Sequence, residues 1–267
     1  MKLICFLLVI IATSSCNGKS QNDNYKTQPV EITSEMNSLI NNNEKLIENF
    51  ADGSLIVGQW LNVKYINSLK KSGSAKEAQE SIYLAFINFK KDSTASIIYN
   101  FHEGVDRKYN FQDNQIRFGT KSNEQFVADF IDLTTMIVRR SKQSVDTLLR
   151  FESIDSERNN LAINTLVFKG KYRLDDKTTV EFYKNGRISG WAEHNSYKAR
   201  DDYYDVGLDV DLVYLKNQND SKKMTWELKN DTLNLYDVIC ISYDDSGKHC
   251  MTIGKGDLVY QLIRLCF

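Results

Sequence analysis

The chain has 267 residues, room for one large or two small domains. Charged residues make up 26% and hydrophobic residues 42%, ordinary for a globular protein, and a formal net charge of −1 excludes broad electrostatic attraction to nucleic acid or anionic lipid. A single proline, Pro29, among many Tyr, Phe, Ile and Val residues favours strands over helices.

Residues 1–16 run Met1-Lys2, an apolar stretch from Leu3 to Ala12, then Thr13-Ser14-Ser15-Cys16. A basic start, a short apolar core and small residues before a cleavage point read as a signal peptide. The core is too short to span a bilayer, which takes roughly 20 residues, and no second long apolar run follows. The layout resembles a bacterial lipoprotein signal, in which the cysteine becomes the first mature residue and carries the lipid. That resemblance implies lipidation of Cys16 and attachment to a membrane. An ordinary secretory signal with an incidental cysteine is the other reading.

Residues 17–33 are polar and read as a flexible tether, with Pro29 placed where a missing N–H costs nothing. Residues 34–53 read as a helix. Met36, Leu39, Ile40, Leu46, Ile47 and Phe50 recur at three- and four-residue steps, Ser34 caps the start and Gly53 ends it. Packing on the following sheet is the plain expectation; a partner-binding or coiled-coil helix is the sharper one, weakened by Asn41, Asn42 and Asn43.

From residue 54 to 152 the pattern is that of short strands at hairpin spacing. Leu55–Tyr65 is the first, and a polar loop from Asn67 to Ala78 follows, with Ser72-Gly73-Ser74 at its tip. Strands are expected at Ile82–Phe89, Thr94–Phe101, Lys108–Phe111, Ile116–Phe118, Phe126–Ile131, Met136–Arg139 and Thr147–Phe151. The stretch from Ser153 to Asn164 is turn-rich and marks a boundary. A second series then fills residues 165–267. Its strands are expected at Leu166–Leu174, Thr178–Tyr183, Arg187–Trp191, Tyr203–Leu215, Met224–Leu228, Thr232–Tyr236, Val238–Tyr243, His249–Ile253 and Leu258–Leu265. Gly170-Lys171-Tyr172 echoes Gly58-Gln59-Trp60, and the two series end alike at Leu149-Arg150-Phe151 and Ile263-Arg264-Leu265. The order of elements points to a duplication.

Gly58-Gln59-Trp60 and the run Trp226-Glu227-Leu228-Lys229-Asn230-Asp231-Thr232-Leu233-Asn234-Leu235 carry a family resemblance. Tyr109–Phe118 and Phe130–Val138 carry weaker counterparts. With them the chain resembles a Bacteroidetes-type outer-membrane lipoprotein with two lipocalin-like domains. The fold implied is mainly β: an N-terminal helix, then two antiparallel lipocalin-like barrels or half-barrels. The function implied is a lipid-anchored envelope binding protein, carrying a small apolar ligand in a barrel or serving as an interaction or inhibitor module of an envelope complex. Asn17, Gly18, Lys19 and Ser20 lack the acidic cluster associated with surface export in this family, which implies an outer-membrane anchor facing the periplasm.

The chemistry visible in the residues is sparse. No nucleophile elbow, phosphate loop, zinc-protease or dinucleotide motif is present, so no catalytic residue, cofactor or enzyme activity is expected. His249-Cys250 is a poor chelate because neighbours on a strand face opposite ways, and no metal is expected. Asp205, Asp209 and Asp211 share one strand face; a solvated face that discourages edge pairing is favoured over a calcium site. Cys240 and Cys250 flank a turn at even separation and can form a disulfide; two buried thiols is the alternative, with Cys266 a competitor. Trp60, Tyr83, Phe89 and Trp226 are the candidate pocket residues, although most aromatic side chains here are better read as filling a small barrel.

Overall fold

The computed structural model describes residues 56–80, 82–112, 115–119, 127–141, 144–151, 161–203, 208–218 and 220–265. The signal peptide 1–16 with Cys16, the tether 17–33 and the helix 34–53 lie outside the described residues.

The molecule is mainly β. Eight antiparallel strands close into a first barrel: β1 (Gly58–Asn62), β2 (Leu84–Phe89), β3 (Thr94–Tyr99), β4 (Glu103–Gln112), β5 (Gln115–Phe118), β6 (Val127–Asp132), β7 (Thr135–Ser141) and β8 (Ser144–Arg150). Strand β1 pairs with both β2 and β8, which completes the ring and removes every edge. Trp60, Ile87 and Ile97 sit side by side on successive strands, and all three are buried inside it.

A second meander comprises β9 (Gly170–Arg173), β10 (Thr179–Phe182), β11 (Ile188–Ser189), β12 (Ser196–Ala199), β13 (Leu212–Lys216), β14 (Ser221–Lys229), β15 (Thr232–Tyr243) and β16 (Cys250–Arg264). The outermost strands β11 and β12 meet through a bridge between Arg187 and Ser196. The Ile188 N–H donates to the Asn195 carbonyl at 2.8 Å and the Tyr197 N–H to the Gly186 carbonyl at 2.7 Å, so this sheet too is nearly closed.

The two rings share a latch. Gly58 and Gly170 open the first strand of each at φ 125° and 149°, values that a side chain would resist. Two residues on, Trp60 donates its indole N–H to the Ile56 carbonyl at 2.9 Å, and Tyr172 its hydroxyl to the Val167 carbonyl at 3.1 Å. Each aromatic residue is register partner to an arginine on the last strand, Trp60 to Arg150 and Tyr172 to Arg264. Arg150 donates to the Val57 carbonyl at 3.2 Å, and Arg264 to the Val167 carbonyl at 2.6 Å. The same polar closure at the same place in both rings supports the duplication read from the order of elements.

Several expectations fail for identifiable reasons. The strand expected over Leu55–Tyr65 stops at Asn62, and the loop expected from Asn67 to Ala78 is helical: α1 is Val63–Ser72 and α2 is Ala75–Gln79. The Asn62 side chain caps α1, Gly73 ends it, and Ser74 caps α2 by accepting from the Glu77 N–H. Tyr65, Ile66 and Leu69 form its buried stripe. The strand expected at Leu166–Leu174 begins only at Gly170, because residues 161–168 form a helical segment: α3 (Leu161–Ile163) followed by a π-helical turn (Asn164–Phe168). The strand expected over Tyr203–Leu215 is confined to β13, and Asp211 before it is buried rather than part of a solvated carboxylate row. Asp205 lies outside the described residues.

Helices α1 and α2 join the two rings. Leu61, Tyr65, Leu69, Ala78, Phe86 and Phe101 from the first half lie in one continuous apolar core with Phe168, Trp226 and Leu233 of the second. Polar groups lock the same joint. The Lys76 N–H at the start of α2 donates to the Asp211 carboxylate at 2.9 Å, and the Gln79 amide to the Asp201 carbonyl at 2.7 Å. His102 Nδ1 meets the Asp202 carboxylate at 2.9 Å. Burial raises the pKa of both Asp211 and Asp201, so the joint holds two carboxyls that resist ionisation.

Candidate functional site

The four aromatic residues singled out in the sequence do not converge. Trp60 and Phe89 are packed inside the first ring, and Trp226 belongs to the core of the second. Tyr83 is 48% exposed, on the outer surface, with the Arg140 guanidinium 4.1 Å above its ring. The reason is a bulge between Leu84 and Phe86, which breaks the alternation that would have put Tyr83 beside Phe89. No pocket formed by Trp60, Tyr83, Phe89 and Trp226 exists.

The described interiors are filled by ring-on-ring packing. In the first, Phe89 meets Tyr109 at 5.1 Å and Trp60 meets Phe130 at 5.5 Å between centroids. In the second, Phe168 meets Trp226 at 5.3 Å and Tyr172 meets Phe182 at 5.5 Å. Contacts at such distances are those of a packed aromatic core.

The features open to a partner gather at one end of the second ring. Leu228 and Leu233 pair at the end that abuts α1, since a side chain on Gly73 would collide with Leu228. Strand β15 runs from there away from the joint. It keeps β14 as a neighbour only as far as Asp237, then continues to Tyr243. Strand β16 returns from Cys250 and regains a second neighbour, β9, only at Ile263 and Arg264. The two strands therefore project as an arm. The sequence reading broke each of them in two. Those breaks, at Asp237 and at 254–257, face one another across the ladder and mark a bulge within one continuous pairing.

The arm displays large apolar side chains to solvent. Ile239 is 47% exposed, Ile241 62% and Met251 62%. Ile239 and Ile241 lie flat over Gly254 and Gly256, so close that a Cβ on Gly254 would fall 2.5 Å from Ile241 Cδ1. Near the tip Cys240 and Cys250 are joined in a disulfide, their Cα atoms 5.7 Å apart, which realises the pairing drawn from spacing. Cys266 lies outside the described residues. At the turn, the Asp244 carboxylate accepts from the Ser246 hydroxyl and the Lys248 and His249 N–H groups, which holds it below the usual carboxylate range. At the base, burial opposes ionisation of Glu227. Its contacts with Lys255, Lys229 and the Tyr236 hydroxyl outweigh that and keep its pKa low.

Beside the base of the arm lies a cleft of about 390 Å³, between the β9–β10 turn (Arg173, Asp175, Asp176) and Val259, Tyr260 and Ile263 of β16. It exists because β9 ends where β16 continues. Behind it, Trp191, His194 and Tyr260 pack edge to face, with Trp191 4.8 Å from His194 and 4.9 Å from Tyr260. His194 is buried with neither ring nitrogen hydrogen-bonded, and burial depresses its pKa. Among the described residues no group of three or more His, Cys, Asp or Glu is placed to hold a metal ion.

Sequence reasoning missed Ile239, Ile241, Met251 and Tyr260 as a surface. The signal was present: strand-forming residues run from Thr232 to Tyr243, interrupted only by Asn234, Asp237 and Ser242. Comparison with protein families, with curated proteins and with solved structures finds no match to this chain.

Proposed function

We propose that this protein is a lipid-anchored binding protein of the cell envelope, held by a lipid on Cys16 at the outer membrane and facing the periplasm, and that it recognises a protein partner through the arm of its second ring. The observation that carries this reading is the contrast between filled interiors and an open arm. Aromatic side chains occupy both described interiors, whereas Ile239, Ile241, Tyr243 and Met251 are displayed on a hairpin closed by a disulfide. Large exposed apolar side chains held rigidly in one place mark an interaction surface. The lipid anchor rests on the layout of residues 1–16 alone.

A photoreactive side chain at Ile241, introduced in cells, is expected to give discrete protein adducts that disappear when Tyr243 and Met251 are changed to Asp. Absence of any adduct overturns the reading. Two eight-stranded rings could instead hold an apolar ligand. Native mass spectrometry of the gently purified chain separates the two, because a retained mass of a few hundred daltons would speak for the ligand.

A further inference from the structure

We propose that the connection between β11 and β12 is an acid-opened gate in the second ring, with His194 as its sensor: when the imidazole takes up a proton, residues 190–195 lift and the two strands part. The inference concerns the second ring alone and stands whether or not the arm binds a protein.

The gate lies at the thinner of the two seams. The first ring closes along three register pairs, Trp60–Arg150, Leu61–Leu149 and Asn62–Leu148. The second closes on a bridge between Arg187 and Ser196, beside a strand β11 of only two residues. Among the described residues two backbone hydrogen bonds cross this seam, from the Ile188 N–H to the Asn195 carbonyl and from the Tyr197 N–H to the Gly186 carbonyl. The Tyr197 hydroxyl adds a side-chain crossing, donating to the Tyr183 carbonyl at 2.9 Å. Local opening starts where the fewest such bonds must break.

The chain between the two strands is a tight flap. Gly190 takes φ 76°, and a side chain there would collide with the Thr179 carbonyl. Trp191 then packs edge to face on Phe182 at 6.2 Å and on Tyr260 at 4.9 Å. His194 is 8% exposed, its ring 4.8 Å from that of Trp191. The next residue, Asn195, supplies the seam acceptor for Ile188 and donates its own N–H to the Lys216 carbonyl at 2.9 Å. Movement of His194 therefore acts directly on a bond that closes the ring.

The surroundings of His194 suit a neutral imidazole and not a charged one. Both ring nitrogens are buried without a hydrogen bond. Glu193, from the same flap, stands 4.0 Å from Nε2, and the oxygen concerned already accepts from the Tyr260 hydroxyl of β16 at 2.5 Å. Lys222 of β14 brings a positive charge to this corner, 5.7 Å from the centre of the Tyr260 ring, where it pairs with Asp237 of β15 at 3.3 Å. Burial depresses the His194 pKa; Glu193 and Asp220, in the turn before β14, oppose this, and Lys222 adds to it. An imidazolium has two donors and needs an acceptor for each, which water supplies once the flap lifts. An open form that hydrates His194 at its ordinary value of about 6.5 thus binds the proton better than the closed form, and the open fraction grows as the pH falls through that value.

The test is amide exchange of the full chain in detergent, read by mass spectrometry as protection corrected for the intrinsic exchange rate at each pH. From about pH 7.5 to about pH 5.5, protection of residues 186–197 should fall about five- to tenfold, because each unit below the ordinary histidine value shifts the opening by at most about tenfold. Strand β1 of the first ring and the 232–235 stretch of β15 should keep theirs. His194→Phe keeps a packed ring that does not titrate, and His194→Gln keeps a polar side chain that does not; in either variant the seam should lose its pH dependence. Unchanged seam protection in the native chain overturns the proposal. So does a fall of the same size in β1 and β15, which would mean that the whole fold loosens with acid. A fall that persists in both variants overturns it as well, since His194 would not be the sensor.

Discussion

A few buried polar contacts fix how each ring closes, and their costs can be measured separately. Arg264 donates to the Tyr172 hydroxyl and to the Val167 carbonyl, both at 2.6 Å, and no other described arginine reaches that carbonyl. Arg264→Ala should cost about 2–3 kcal/mol in urea unfolding, because charged hydrogen bonds are lost and their partners stay buried, whereas Tyr172→Phe should cost about 1 kcal/mol. Equal costs would show that packing of the arginine stem, not its hydrogen bonds, closes the ring. Asp211 poses a different question. Its carboxylate caps the start of α2, yet burial raises its pKa, so the charge itself is unfavourable. Asp211→Asn keeps an acceptor for the Lys76 N–H and discards the charge; it should be near neutral, while Asp211→Ala should destabilise by about 1–3 kcal/mol. His194 sets a pH dependence of opposite sign. Burial lowers its folded pKa, so below the unfolded value of about 6.5 the unfolded chain binds a proton that the folded chain refuses. The stability present above that pH is lost as the pH falls towards the folded value. Lys222 adds to the depression, and Glu193 and Asp220 oppose it. His194→Phe should flatten the loss between about pH 7 and pH 5; an unchanged slope in denaturant midpoint would place the dependence elsewhere.

At the level of elements, the arm behaves as a unit apart from the rings. Beyond Asp237 it is a two-stranded ribbon, and such ribbons are marginal alone in water. The Cys240–Cys250 bridge spans a sequence separation of 10, and closing a loop of that size is worth roughly 2–3 kcal/mol in the chain-entropy view. Reduction should therefore raise amide exchange between Val238 and Ile253 and leave Trp60 and Trp226 neighbourhoods protected, an outcome that hydrogen exchange reads directly. Loss of protection in the first ring as well would mean the arm supports the whole fold. The arm also marks where sequence and structure part. Period-2 alternation located most strands of both rings, because each has one wet and one buried face. It failed wherever a bulge shifts the phase, at Leu84–Phe86 and at Tyr236–Val238. Helices α1 and α2 were hidden by polar composition, although Ser74 with Glu77 three residues on is a capping box and Gly73 a stop signal. The candidate site was least legible, since an open strand edge is defined by which neighbours a strand lacks.

The whole molecule is one cooperative body if its core is the guide. Helix α1 presents Tyr65, Ile66 and Leu69 to a cluster drawn from both halves, and the outer faces of β1 and β2 are buried in it through Leu61 and Phe86. A first ring cut free at residue 151 would expose that entire face, a patch large enough to drive association. The three tryptophans make the coupling observable. Trp60 reports the first ring and Trp191 and Trp226 the second. A Trp60→Phe chain and a Trp191→Phe/Trp226→Phe chain should each follow one transition by fluorescence, and adding Leu69→Ala to either should lower its stability by a similar amount, about 2–5 kcal/mol for a leucine with 1% of its surface exposed. Unequal shifts would mean that α1 belongs to one ring and merely touches the other. Equal shifts would make the joint the element on which both rings depend. Any load on the far arm would then bear on a body that does not hinge between its halves.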